Sequence, residues 1–551
     1  MTTIEQPATT RPVDYAQTIF DVVVIGAGLT GLNQLRQLRE RGFSVRLFEA
    51  GDRVGGTWYW NRYPGARLDS ESYSYAFSFD AELMVEWDWK ELFVSREEVE
   101  AYLNRAADKW GVREDIELGA RVRSMTFSEA DNIWTIESEK GITARTRFVV
   151  TAVGILSAPI FPQAPGLEDY TGECYHTGLW PSEDITFDGK RVIVIGTGSS
   201  GVQIITEIAK TAATLTVLQR TPNWCVPLNN EPIDPSKQDE LKRWYPELFE
   251  KLGESYSGLV HEFDPRSYHD VDEAERIATF ERIWKAPGFA KTHAGFREII
   301  FEEGPNEAYA QFVAEKIRQR LHDPKVADLL IPTDHPFATK RVPCEQGYYE
   351  VYNQDNVELV SLPEHPLVRF TAVGLVVRAD DGSEREIKAD MIVLATGFDA
   401  YTGAFSRMDI RGVDGQTLAE AWKDGPVTYL GLQTPGFPNL LTAVGPHNKG
   451  GLCNIPRCSE QNVDWITELL DDLRERGITR FEATPTAAKE WTSHVVSLVE
   501  KTLIPRGSGY VLGANVPGKP RVFLGYIGPL PEFRDRCAEI RKNNYAGFEM
   551  S

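Results

Sequence analysis

The chain has 551 residues, 42% hydrophobic and 25% charged, which is globular make-up and room for roughly two to four domains. Its formal net charge of −22 argues against nucleic acid or an anionic membrane as partner, and no apolar run approaches the length of a membrane span. The six cysteines form no CxxC pair, which fits reduced thiols in the cytoplasm, and the nine histidines lack ligand-like spacing, so no metal is expected.

Residues 1–17 are polar, with neither a basic start nor an apolar core, and read as a disordered tail rather than a signal peptide. Phe20 to Ile25 then has the apolar pattern of a buried parallel strand and runs into Gly26-Ala27-Gly28-Leu29-Thr30-Gly31. In such a loop the first glycine permits a tight turn, the second lets backbone approach a pyrophosphate, and the third packs helix on sheet. A helical pattern (Leu32, Leu35, Leu38) and a second strand, Ser44 to Phe48, follow, and Glu49 stands 23 positions past Gly26. That is where a ribose-binding carboxylate belongs, so the unit reads as the site of an adenine dinucleotide with a free ribose, FAD.

Arg53 to Tyr75 is rich in glycine, proline and aromatics and reads as loop, suited to a flavin wall. Residues 95–111 have helical spacing, residues 120–138 alternate as a β-meander, and 147–154 is a further buried strand ending in Gly154. A second unit then repeats the first. Arg191 to Ile195 leads into Gly196-Thr197-Gly198-Ser199-Ser200-Gly201, but 23 positions on stands Gln219, followed by Arg220 and Thr221. A carboxylate would repel a 2′-phosphate, whereas an arginine and a hydroxyl would bind one, so this unit reads as the NADP site.

From 225 to 330 the pattern turns helical and charged (235–252, 271–284, 308–321), an insertion in the second unit that would shape a substrate cavity. Lys340 and Arg341 are adjacent cations beside Pro343. Residues 390–397 are a near twin of 147–154. The resulting organisation is α/β, with two Rossmann-like dinucleotide-binding domains, the first discontinuous and the second carrying the helical insertion. The FAD domain takes 18–150 and 390–551, the NADP domain 155–224 and 331–389.

Tyr170-x-Gly172-x-x-x-His176-x-x-x-Trp180-Pro181 resembles the fingerprint of the Baeyer–Villiger monooxygenases, with Tyr170 where that family usually has Phe. The strings 55–65, 219–223, 339–341 and 395–399 match as well, and the resemblance runs from Asp21 to the C-terminus. It implies that NADPH reduces FAD, that O2 adds to give a C4a-peroxide, and that one oxygen is inserted beside a ketone carbonyl to give an ester or lactone. By motif, Gly26, Gly28, Thr30, Gly31 and Glu49 would hold FAD. Thr57, Trp58, Tyr59, Trp60, Arg67, Asp69 and Tyr75 would line the flavin, Val122 would touch the adenine region, and Ile455 the ring. Gly196, Thr197, Gly198, Ser199, Ser200, Gly201 and Gln203 would cradle the NADP pyrophosphate, and Arg220, Thr221 and Lys340 its 2′-phosphate. Arg341 would be the catalytic arginine and Asp69 its partner. The family commonly has Trp where this chain has Tyr510.

Three other readings stand beside this one. A flavin monooxygenase oxidising nitrogen or sulfur shares both loops, but has no need of Arg341. An NADPH-dependent disulfide reductase needs a redox cysteine pair beside the flavin. A flavin-binding sensor would show no ketone-dependent turnover. The partners implied are a small ketone and O2, with the protein a monomer or weak homodimer.

Overall fold

The computed structural model describes residues 13–450 and 452–551. Of the tail expected over 1–17, residues 1–12 lie outside the described residues. Tyr15 is tied down: its hydroxyl donates to Glu117 at 2.6 Å, and its ring meets Phe20 and Phe48.

Two sheets organise the chain. In the first, Ile19–Ile25 lies parallel between Val45–Phe48 and Thr143–Thr151, in a register that sets Val24 opposite Leu47 and Val150. Val22, Val23 and Val24 are wholly buried, because helices or loops cover both faces of a parallel sheet. The meander Val122–Ser128, Ile133–Ser138 and Thr143–Thr151 extends this sheet antiparallel. Two late strands complete it: Asp409–Arg411 pairs with the meander edge, and Leu440–Thr442 with Thr143–Thr151. The helix Ile455–Glu475 also returns to this unit, where Thr467 and Asp464 accept from Gln34 and Gln37 of the helix Leu29–Glu40.

The second sheet has five parallel strands in the order 357–361, 214–219, 191–195, 391–394, 173–176. Val194 stands opposite both Val217 and Val393. The strand Met391–Leu394 therefore belongs here and not to the first unit, which moves the expected boundary at 390 to a point beyond it. The reason is the job its end performs. Ala395 O sits where a Cβ on Gly196 would be, at 2.4 Å, as Ala152 O sits 2.6 Å from a Cβ on Gly26. Each twin strand closes its own glycine loop.

The insertion forms the helices Pro235–Glu254, Glu273–Lys285 and Glu303–Arg318, with shorter ones between and after. Their starts follow from sequence. Asp234 accepts from Lys237 N–H with Pro235 in the first turn, and Asp272 and Glu275 form a reciprocal capping box. Phe280, Tyr309, Val313 and Ile317 form the apolar interior of this part. No helix among the described residues is long and apolar enough to cross a membrane.

Candidate active site

A cavity of about 1320 Å³ runs between the two sheets and under the insertion. Both glycine loops open into it. Gly26 and Gly196 hold φ of 104° and 110°, a region other residues adopt only with strain. A Cβ on Gly31 would lie 1.8 Å from Gly26 O, and one on Gly201 2.2 Å from Gly196 O, so these two glycines pack the loops and do not face the cavity. The helices Leu29–Glu40 and Ser199–Ile208 begin after Gly28 and Gly198, neither of which offers a side-chain cap. Their first-turn N–H groups are thus left for a ligand, and the helix dipole favours an anionic one. These features fit a pyrophosphate at each loop.

Glu49 is buried, and its two oxygens accept from Ala27 N and Gly51 N, each at 2.6 Å. Burial pushes its carboxyl up, and these two N–H groups pull the other way. A carboxylate has about four acceptor positions, so capacity remains for ribose hydroxyls. Thr30, Val122, Thr57, Trp58, Trp60, Arg67, Tyr75 and Ile455 line the same cavity. Thr57–Trp60 is a helical turn where the sequence reads as loop. That turn directs Trp58 toward Tyr75, whose hydroxyl accepts from the indole at 3.1 Å, and turns Tyr59 away. Tyr59 packs on Gly51 and accepts from Asp52 N, and so does not line the flavin wall expected of it.

At the second loop, Thr197, Ser199, Ser200 and Gln203 border the cavity. Gln203 also joins the two units, accepting from Tyr63 at 2.7 Å and donating to Arg67 O at 3.3 Å. Arg220, Thr221 and Lys340 also line the cavity, with Lys340 near enough to Arg220 to feel its charge. Burial lowers the Lys340 pKa and Arg220 lowers it further, while Asp334, 3.6 Å from its ammonium, works to raise it. Two cations held this close suit a doubly charged phosphate.

Arg341 lies where the two units and the insertion converge. One guanidinium nitrogen is 2.9 Å from the buried Asp69 carboxylate, and another donates to Ser199 Oγ at 3.0 Å. Its Cζ stands 5.4 Å from the Phe289 ring. Burial works against its charge, but Asp69 is the largest of the groups that oppose this and the net shift is upward. Asp69 is itself raised by burial, with Arg341 acting against the rise. Tyr510, which has burial raising its pKa, is close enough to interact electrostatically with Arg341.

Several cavity residues carry no sequence motif. Tyr256, Phe263, Phe289, Thr292 and His293 come from the insertion, which thereby walls the cavity. Only tertiary packing identifies them. Cys453 and Cys458 correct the reading of six free thiols. Their sulfurs meet as a disulfide across the start of the helix at 455, with a Cα–Cα distance of 6.6 Å, a C-x4-C spacing that a search for CxxC passes over.

The model of the pyridine nucleotide-disulphide oxidoreductase family matches residues 23–315. A crystal structure of OTEMO in complex with FAD and NADP superposes with a TM-score of 0.93 at 42% identity, over 97% of this chain and 99% of that one. Acetone monooxygenase (methyl acetate-forming) of Gordonia sp. is 41% identical over 97% of this chain and 99% of its own length. Phenazine N-monooxygenase of Lysobacter antibioticus is 39% identical over 97% and 98%.

Proposed function

The chain belongs to the Baeyer–Villiger monooxygenases, FAD- and NADP-dependent enzymes that oxygenate ketones, and from that premise we propose that Arg341, positioned by Asp69, carries the oxygen insertion. The observation behind this is the guanidinium held between Asp69 and Ser199 at the wall shared by both glycine loops. Bound FAD, reduced by NADPH, supplies the activation of O2.

Arg341 then has a defined task. Insertion beside a carbonyl places negative charge on the former ketone oxygen before carbon migrates. A guanidinium stays charged and donates through a fixed fork, and preorganised donors of this kind supply a large share of catalysis. The buried Asp69 keeps the guanidinium oriented, so little reorganisation is needed as the charge develops. Phe289 stands beside Arg341 and the insertion walls the cavity, so that bound nucleotides and ketone would displace water from around the guanidinium.

The roles of the loop residues follow the same logic. Gly26, Gly28, Thr30 and Glu49 hold FAD, and Gly31 acts through the loop it packs rather than by contact. Thr197 to Ser200 hold the NADP pyrophosphate, and Arg220, Thr221 and Lys340 its 2′-phosphate. The reading extends to a monomer or weak homodimer in the cytoplasm, where Cys174, Cys225, Cys344 and Cys537 would stay reduced and the Cys453–Cys458 pair is the exception.

The phenazine relative shows that oxidation of nitrogen occurs among proteins this similar, so likeness along the chain does not choose the substrate by itself. The Arg341–Asp69 pair favours a carbonyl, because nitrogen oxidation develops no tetrahedral oxyanion. The test is ketone-dependent NADPH consumption with the product identified by mass as substrate plus one oxygen, an ester or lactone. Consumption that yields only hydrogen peroxide across a broad ketone panel, with N-oxide from amines, overturns it.

A further inference from the structure

We propose that His293 selects ketones bearing a hydroxyl or N–H group roughly one ring away from the carbonyl, by accepting that group's hydrogen bond at Nε2. The inference rests on the oxygenation of ketones in this cavity and adds the class of ketone.

His293 ends the short helix Ala290–His293 and lines the cavity among apolar walls that include Leu259, Ile300 and Phe301. Its ring stacks on Phe263 (6.2 Å between centroids, 18° between planes) and meets Phe289 edge-on at 6.2 Å. Phe289 is the ring 5.4 Å from the Arg341 guanidinium carbon. The imidazole and the group that takes the carbonyl oxygen therefore neighbour the same aromatic ring, which keeps them within reach of one ring-sized substrate.

The hydrogen bonds around the imidazole assign its tautomer. Thr292 Oγ1 lies 3.0 Å from Phe289 O and 2.8 Å from His293 Nδ1. A carbonyl only accepts, so the threonine proton goes to Phe289 O. Both contacts are satisfied at once only if Nδ1 carries a proton and donates to Oγ1. Burial, with the nearby His261 and Lys449, pushes the His293 pKa down to about 4, so the ring is neutral at pH 7. Nε2 is then an unprotonated acceptor, and it has no hydrogen-bond partner among the described residues. His261, the other imidazole nearby, is already paired through its own Nε2 with Glu71 at 2.7 Å.

A lone acceptor in an apolar wall discriminates. A ligand that donates to it satisfies it, whereas a ligand of the same shape without a donor leaves it desolvated and unpaired. Sites built to hydrogen-bond a substrate hydroxyl reject the analogue lacking it far better than an apolar pocket rejects an extra methyl. His293 also holds its acceptor in place, since the ring is clamped by Phe263, Phe289 and Thr292.

The experiment compares kcat/KM for matched ketones carrying hydroxyl, methoxy or methyl at one carbon, on cyclopentanone, cyclohexanone and acetophenone frames. The wild-type holoenzyme should prefer the best-placed hydroxyketone over its methoxy partner by roughly 10-fold or more. His293→Phe keeps an aromatic ring but removes the acceptor, and should bring that ratio to about one. His293→Gln offers an amide oxygen and should keep part of the preference. The ratio within each variant is the readout, because a general loss of activity does not move it. No preference in the wild type, or a preference that survives in His293→Phe, overturns the inference while ester formation upholds the reading of the enzyme. No ester from any ketone overturns both.

Discussion

Glu49 and Gln219 hold one position in two copies of the same frame, each buried at the end of the second strand after a glycine loop. Each reaches back to the second residue of its loop: Glu49 accepts from Ala27 N at 2.6 Å, and Gln219 accepts from Thr197 Oγ1 at 3.3 Å. The remaining contacts separate them. Glu49 spends its other oxygen on Gly51 N, whereas Gln219 donates its amide to Leu329 O in the insertion. The frame is thus shared down to the strand twins that close each loop, and on the proposed assignment a single exchange of carboxylate for amide, with Arg220 beside it, would convert a ribose site into one that admits a phosphate. On that assignment, binding a dinucleotide belongs to the backbone, while the choice of dinucleotide belongs to two or three side chains.

The largest effects should come from breaking the shared frame on one side at a time. Gly31→Ala places a methyl 1.8 Å from Gly26 O, and Gly201→Ala places one 2.2 Å from Gly196 O. The first should yield colourless protein without FAD. The second should remain yellow, with its reduction by NADPH slowed at least ~100-fold, a loss of about 3 kcal/mol. Absorbance spectra and anaerobic reduction read both, and equal loss of flavin from the two variants would erase the asymmetry.

Converting one copy toward the other sharpens the comparison. Gln219→Glu should raise KM for NADPH by roughly 10- to 100-fold through repulsion of the 2′-phosphate, and spare NADH. A milder result, about 10-fold, is expected of Arg220→Ala or Lys340→Ala, again confined to NADPH. Initial rates with both nucleotides decide these cases, and a parallel loss for NADH would move the phosphate elsewhere.

The smallest effect is in pH. Burial lowers the Lys340 pKa, so in the free enzyme its charge is present at low pH and is lost at a lower pH than for an ordinary lysine. Weakened binding should therefore set in on the alkaline side. KM for NADPH should climb with rising pH while KM for NADH stays level, and Lys340→Arg should flatten the climb. A profile identical for the two nucleotides would remove Lys340 from the phosphate.

The frame was the legible part. Runs such as 20–25 and 191–195 announce buried parallel strands, the glycines announce their loops, and the spacing over 235–252 announces a helix. These are local signals, each carried by a few neighbouring residues. What sequence did not disclose depends on distant packing. The strand 391–394 resembles 147–151 closely, and only its pairing with 191–195 and 173–176 assigns it to the second sheet. Tyr59 sits in a string of cavity residues, yet one helical turn rotates it onto Gly51. His293 and Phe289 reach the cavity through folding of an insertion whose helical pattern reports only its own interior.

The two units meet at Arg341 through Asp69 and Ser199, and the proposed oxygen insertion turns on what that side chain does. If it stabilises charge that develops only during oxygen transfer, Arg341→Ala should still bind FAD and should still be reduced by NADPH. Ester formation should fall by about a hundredfold or more, and the reducing equivalents should leave as hydrogen peroxide. Arg341→Lys should be nearly as defective, since it keeps the charge but loses the fork. Stopped-flow reduction combined with product analysis on one good ketone measures both steps in a single preparation. Retained reduction with ester lost is the predicted result. Ester formed by Arg341→Ala at near wild-type rate would contradict it.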